Sequence, residues 1–246
     1  MTDYTKTPAG LTQHTLDRDG CRLAYWMGGA SDQPTIVMMH GATMDHRMFN
    51  AQVEALLPDY PVLVWDARGH GKSQPNSSDI SLNLFADDML AILDHHQIDT
   101  FIPVGQSLGG YIAQHLYLQV PDRIPAMVII GSTPIAKAYS RLEVFALKAS
   151  LPIFDWLPYG YFTKLIANNT AITDVVQQYA LDAARQIPKD EFSRIWKAVT
   201  VAIDIQGLPD FKIDVPLLLV HGDHDSTGTI KRDMPLWAKT ESQAEY

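Results

Sequence analysis

A single cysteine, Cys21, stands in the whole sequence, so no intramolecular disulfide can form and the chain fits a reducing compartment. Positive charge is also scarce. The 19 Lys and Arg face 28 Asp and Glu, and the net charge of −9 argues against nucleic acid or an anionic membrane as partner. No run approaches the ~18 apolar residues that a membrane span needs. Met1 to Gly20 lacks the apolar stretch of a secretory signal, which makes the cytoplasm the expected location. Internal repeats and low-complexity tracts are missing, which excludes solenoid and fibrous architectures. Finally, all nine histidines precede Asp225.

What the chain has is apolar content. At 246 residues and 46% hydrophobic it can bury the core of one domain, with room for a sub-domain. Thr12 to Trp26 reads as a hairpin turning at Asp19-Gly20. Continuous apolar runs at Thr35–His40, Val62–Trp65, Phe101–Val104, Ala126–Ile130 and Pro216–Val220 read as strands buried on both faces. Helical spacing falls between them. Leu82, Phe85, Ala86, Met89, Leu90 and Leu93 share one face, with Asp87, Asp88 and Asp94 off it, and Leu108 to Val120 continues as helix until Pro121. The alternation predicts an α/β fold: a mostly parallel, doubly wound sheet with helices on both faces. From Ile135 to about Ile213 the pattern turns helical and aromatic, with Phe145, Phe154, Trp156, Tyr159, Tyr161, Phe162 and Trp196. Phe192, Ile195, Trp196, Val199, Ala202 and Ile203 form one stripe there. A segment of about 75–80 residues is too long for an ordinary connection, so the expected organisation is core 1–134, helical cap 135–212 and core 213–246.

The chemistry-bearing stretch is Phe101-Ile102-Pro103-Val104-Gly105-Gln106-Ser107-Leu108-Gly109-Gly110. An apolar strand ends in Gly-x-Ser-x-Gly and a helix follows at once, the layout of a nucleophile elbow. The glycines allow strand and helix to approach closely while the serine sits in a strained conformation. A helix-capping serine is the plainer alternative, and the strand–turn–helix placement weighs against it. Three further pieces follow a fixed order around it: His40-Gly41-Ala42, Asp66-Ala67-Arg68-Gly69-His70-Gly71-Lys72-Ser73, and Gly222-Asp223-His224-Asp225.

This set resembles the α/β-hydrolase superfamily, in its capped serine-hydrolase branch of esterases, lactonases and carbon–carbon bond hydrolases. The resemblance runs from Thr12 onward and is looser across the helical insertion. It implies that Ser107 is the nucleophile, where an aspartate would point to a dehalogenase or epoxide hydrolase. The backbone N–H groups of Ala42 and Leu108 are the implied oxyanion donors, worth about 3–4 kcal/mol apiece in related sites. Asp225 is the implied triad acid, with Asp223 as competitor. His221, Asp223, His224 and Asp225 could suggest a metal site, but consecutive turn residues rarely converge, so no metal and no organic cofactor is expected. The segment Asp66 to Ser73 is expected to tie loops together, with His70 in that part. Asp94-His95-His96 reads as a solvated helix end, and His115 as a packing residue.

One departure from the family pattern stands out. The family places its catalytic histidine in a loop some 25–30 residues after the acid, and no histidine of this chain lies there. It is expected beyond Tyr246, with Ala244-Glu245-Tyr246 as the start of a severed outer strand, Leu217 to Val220 unpaired on one side, and an apolar face left bare. The expected activity is cleavage of a small apolar carboxylic ester or lactone through an acyl-enzyme. Carbon–carbon bond hydrolysis, acyl transfer on the same site, or ligand binding without catalysis remain alternatives.

Overall fold

The structure is a computed structural model that describes residues 2–145, 147, 149, 157–201 and 207–246. The hairpin is built from β1 (Leu11–Arg18) and β2 (Cys21–Gly28), paired antiparallel with Arg18 opposite Cys21. Asp19 and Gly20 take φ of 44° and 72°. Positive φ at both positions gives a two-residue turn whose twist matches that of the strands. Five strands of four to six residues follow with β3 (Thr35–Met39), β4 (Val62–Asp66), β5 (Phe101–Gln106), β6 (Met127–Ile130) and β7 (Leu217–Val220), then the two-residue β8 (Ala244–Glu245). They form one sheet in the order β1-β2-β4-β3-β5-β6-β7-β8. β2 meets β4 antiparallel and every later neighbour is parallel. Every residue of β3 and β4 is buried, as their unbroken apolar runs require.

Helices α1 (Asn50–Leu56), α2 (Leu82–His95) and α3 (Leu108–Gln119) alternate with these strands. Ser81 caps α2 by accepting the Leu84 N–H at 3.1 Å, and Leu82, Phe85, Ala86, Met89 and Leu93 are buried. Between β6 and β7 lie α4 (Tyr159–Thr170), α5 (Asp174–Ala184) and α6 (Lys189–Val201), and α7 (Ile230–Thr240) follows β7. In α6 the expected stripe is buried at Phe192, Ile195 and Val199, and Trp196 packs against that core. Phe154, Trp156, Ala202 and Ile203 lie outside the described residues.

Helices lie on both faces, as expected: α2 and α3 pack in the larger apolar cluster, and the His46–Leu56 helical region packs in the one on the second face. Beyond the reach of the latter Leu218 and Val220 remain 42% and 40% exposed. One expectation is corrected in part: the outer edge of β7 is not wholly unpaired, because β8 pairs Ala244 with Leu217 and Glu245 with Leu218. Among the described residues, no helix is long and apolar enough to cross a membrane.

Asp88 was placed off the buried face of α2, yet it is fully buried. Its carboxylate takes two bonds from the Arg68 guanidinium, Oδ1 from Nη2 at 2.7 Å and Oδ2 from Nε at 2.8 Å. Arg68 spends its remaining donors on the carbonyl of Asp19 and on Asn76 and Ser78. The segment after β4 thus ties the hairpin, α2 and the following loop to one buried cation. His70 lies beside it with Nδ1 bonded to the Arg68 carbonyl at 3.1 Å, its ring centre 4.9 Å from that of His40. Burial, and then the neighbouring His40, push the His70 imidazole down to about 3, and burial lowers His40 as well.

Both networks have measurable consequences. Asp88→Ala leaves a guanidinium buried without its partner and should cost about 3–5 kcal/mol in urea denaturation, while an apolar replacement of both Arg68 and Asp88 should recover most of it. For His70 the folded value of about 3 lies below the ordinary 6.5, so the folded state binds fewer protons than the unfolded chain between those limits. Stability should be full above pH 6.5 and fall by up to about 1.4 kcal/mol per pH unit as pH drops toward 3. Denaturation across that range should show a shallower slope in His70→Gln.

Candidate active site

Ser107 sits between β5 and α3 at φ 50° and ψ −110°. A non-glycine residue there is strained by about 1–3 kcal/mol and persists only where its surroundings enforce it. They do so from three sides. The Ser107 N–H donates to the Ile130 carbonyl at 2.9 Å, and the Ser107 carbonyl accepts from Gly110 and Tyr111 at 2.9 and 3.2 Å. A Cβ on Gly105 would lie 2.2 Å from the Gly109 carbonyl oxygen, and one on Gly109 would lie 1.9 Å from that of Met39. Both elbow glycines therefore exist for backbone contact, as the motif predicts. The Ser107 hydroxyl is part-exposed and makes no hydrogen bond among the described residues.

The loop after β3 lies against this turn. A Cβ on Gly41 would meet Gln106 Oε1 at 2.0 Å and the Ser107 Cβ at 3.4 Å. His40 fixes the loop from beneath: its Nδ1 pairs with the Gly41 carbonyl at 2.8 Å and its Nε2 accepts the Ala67 N–H at 3.0 Å. Thr43 takes φ 71°, and the Met44 N–H closes back onto the Gly41 carbonyl at 3.1 Å. Among the described residues neither the Ala42 N–H nor the Leu108 N–H has a partner, and Leu108 opens α3, where free N–H groups carry the positive end of the helix dipole.

Asp225 comes from the loop after β7. Its N–H donates to the Gly222 carbonyl at 3.0 Å and its Oδ1 accepts the Thr227 N–H at 2.8 Å. Its Oδ2 lies 3.5 Å from where a Cβ on Gly131 would stand, with Gln106 Nε2 3.7 Å from the same point. The carboxylate thus overhangs the end of β6, one strand from Ser107. Asp223 is exposed, and its backbone carbonyl accepts Lys231 Nζ at 2.7 Å. Among the described residues, no histidine hydrogen-bonds to Ser107 or Asp225. His46 pairs with Asp66, His96 with Tyr25, His115 with Asn83 and His221 with Tyr246, while His224 is exposed.

Sequence reasoning missed the residues that fasten the inserted helices over this loop. The Asp45 N–H donates to the Tyr179 hydroxyl at 3.2 Å, and that hydroxyl donates back to the Asp45 carbonyl at 3.1 Å. Gln186 Nε2 donates to the Asp45 carboxylate at 3.2 Å. Burial alone would raise the Asp45 carboxyl, but the Arg47 guanidinium outweighs it and holds the group below the usual carboxylate range. A second fastening joins α6 to the loop before α2: Arg194 donates to the Ser78 carbonyl at 2.8 Å and Asn76 to Glu191 at 2.9 Å. At the start of the insertion Gln114 bonds the Thr133 carbonyl and the Ile135 N–H, at 3.1 and 2.8 Å. These partners lie 19 to 141 positions apart, and the one usable signal was the polar stretch Asp45-His46-Arg47, four residues after Gly41.

A family model described as the alpha/beta hydrolase fold matches residues 34–177. The chain is 33% identical over 220 residues to 3-oxoadipate enol-lactonase 1 of Acinetobacter baylyi, covering 87% of this chain and 80% of that protein. It is 26% identical over 204 residues to the pimeloyl-[acyl-carrier protein] methyl ester esterase of Aeromonas salmonicida, covering 78% of each. The crystal structure of a hydrolase from Pseudomonas aeruginosa superposes with a TM-score of 0.75 at 21% identity, over 96% of this chain and 88% of that one. The sheet order, the strained serine on its strand–helix turn and this match lead to one conclusion: the chain belongs to the α/β-hydrolase fold family.

Proposed function

We propose that the protein is a serine hydrolase that cleaves a small apolar carboxylic ester or lactone through an acyl-enzyme. The observation that carries the reading is Ser107 at positive φ, with the two unpartnered N–H groups of Ala42 and Leu108 beside it. Relatives named as an enol-lactonase and a methyl ester esterase support the substrate class. Ser107 Oγ attacks the carbonyl carbon, and the carbonyl oxygen takes the developing charge toward the two N–H groups. The carbon–oxygen bond to the alcohol then breaks, and the alcohol leaves with the proton taken from Ser107. Water releases the acyl group as a carboxylic acid; from a lactone, acid and alcohol remain one molecule. The proton needs a base, an imidazole between Ser107 Oγ and the Asp225 carboxylate, which Asp225 would orient and stabilise when charged. In this reading residues 135–212 cap the core segments 1–134 and 213–246, held down by the Asp45–Tyr179 and Arg194–Ser78 contacts.

A fluorophosphonate probe tests the nucleophile, with free imidazole in the buffer to act as the base. One mass increment should appear on the peptide containing Ser107, more slowly when imidazole is omitted, and Ser107→Ala should abolish it. Labelling at another residue, or undiminished labelling of Ser107→Ala, would overturn the assignment. The acid is tested by the same rate: Asp225→Asn should slow labelling about tenfold or more and Asp223→Asn far less. The opposite ranking would move the acid to Asp223.

A further inference from the structure

Three imidazoles crowd together at the hairpin edge of the sheet, four strand spacings or about 19 Å from β5. His14 on β1 stacks on Tyr25, its cross-strand partner on β2, with ring centres 5.5 Å apart. His95 is the last residue of α2 and His96 its C-cap. The His96 ring centre lies 5.3 Å from that of His14 and 5.1 Å from that of His95. Tyr25 bonds His96 Nε2 at 2.8 Å, and among the described residues the ring nitrogens of His14 and His95 make no hydrogen bond. The cluster also stands at the C-terminal end of a 14-residue helix, where free carbonyls favour a cation.

We propose that His14, His95 and His96 form a binding site for one divalent transition metal of the imidazole-seeking class, such as Zn2+, Co2+ or Ni2+. Both spacings to His96 are those of shared ligation. An imidazole nitrogen binds Zn2+ at about 2.0–2.1 Å, which puts the ring centre about 3.2 Å from the ion, and two rings at the tetrahedral angle then have centres about 5.2 Å apart. The observed 5.3 and 5.1 Å bracket that value. With the rings edge to face the nitrogens do not yet converge within 4.8 Å. A histidine ring centre lies on its Cβ–Cγ axis, so turning about that bond swings the nitrogens inward and leaves the centres in place. His95 is exposed and His14 half-buried, which leaves both free to turn. His96 offers Nδ1 to the ion while its Nε2 stays bonded to Tyr25, the outer contact that orients a ligating imidazole. The Asp45–His46–Asp66 trio does converge, yet its ligand atoms are taken. Asp66 accepts from His46 and the Lys72 N–H, and Asp45 from Arg47.

Calorimetric titration of the untagged protein with ZnCl2, and visible absorption with CoCl2, test the proposal without any need for activity. The expected result is one saturable ion per chain, weakened about tenfold or more in His14→Ala and in His95→Ala. His115→Ala, which changes a histidine bonded to Asn83 on α3, should bind as the parent does, with circular dichroism confirming that each variant is folded. Absence of saturable binding, binding as tight as the parent's in His14→Ala or His95→Ala, or loss in His115→Ala would overturn the site.

Discussion

The close crossing of three backbones at the β5–α3 turn is the constraint on which the rest depends. Met39 at the end of β3, Gly105 in β5 and Gly109 in α3 approach so closely that no Cβ fits at either glycine. This crossing forces Ser107 into positive φ, and the bonds of Ser107 to Ile130, Gly110 and Tyr111 hold it there. The same packing sets Gly41 against Gln106 and the Ser107 Cβ. The strain at Ser107 and the placement of the loop after β3 are therefore one feature of the backbone, and in the proposed reading they set the nucleophile and its oxyanion donors together. Side-chain identity at Ala42 or Leu108 has little to do with it.

Around this centre buried polar groups connect elements that the apolar core alone would leave free to shift. Arg68 gathers the hairpin, α2 and the following loop, and Arg194 and Glu191 extend the chain of contacts into α6. Asp45 does the same between the loop after β3 and α5. Each of these groups carries a desolvation cost that its hydrogen bonds offset, so removing one partner costs more than removing the pair. What such groups add is a fixed placement of the inserted helices against the loop after β3 and the loop before α2.

The sequence made the hairpin, the order of buried strands and the elbow legible, because each rests on neighbours in the chain. Asp19-Gly20 specifies its own turn, and Gly-x-Ser-x-Gly between strand and helix specifies its own strain. Period-based reading failed at Asp88, where a carboxylate on the helix face looked solvated until Arg68, 20 residues away, was found to meet it. Nothing in the local pattern marked Asp45, whose partner Tyr179 is 134 positions distant. His95 and His96 do end α2 as read, but the ring contact of His96 with His14 on β1 was not legible in that local pattern. Contacts between distant polar side chains depend on the completed topology, and no local pattern encodes them.

The two arms of the site differ in how firmly they are held. The Ser107 arm lies in the middle of the sheet, with β3 and β6 on either side of β5 and α3 packed behind. The Asp225 arm hangs from β7, which has a two-residue neighbour on one side and exposed Leu218 and Val220 on one face. Asp225 is fixed by two local bonds within its own loop, to Gly222 and Thr227, and not by the packed core. The Ala42 and Leu108 amides are thus set by packed backbone, whereas the Asp225 carboxylate is set by its own loop. In the proposed reading the stability of the β7 edge and the catalytic geometry are coupled, because the loop that presents Asp225 leaves the sheet from that edge strand.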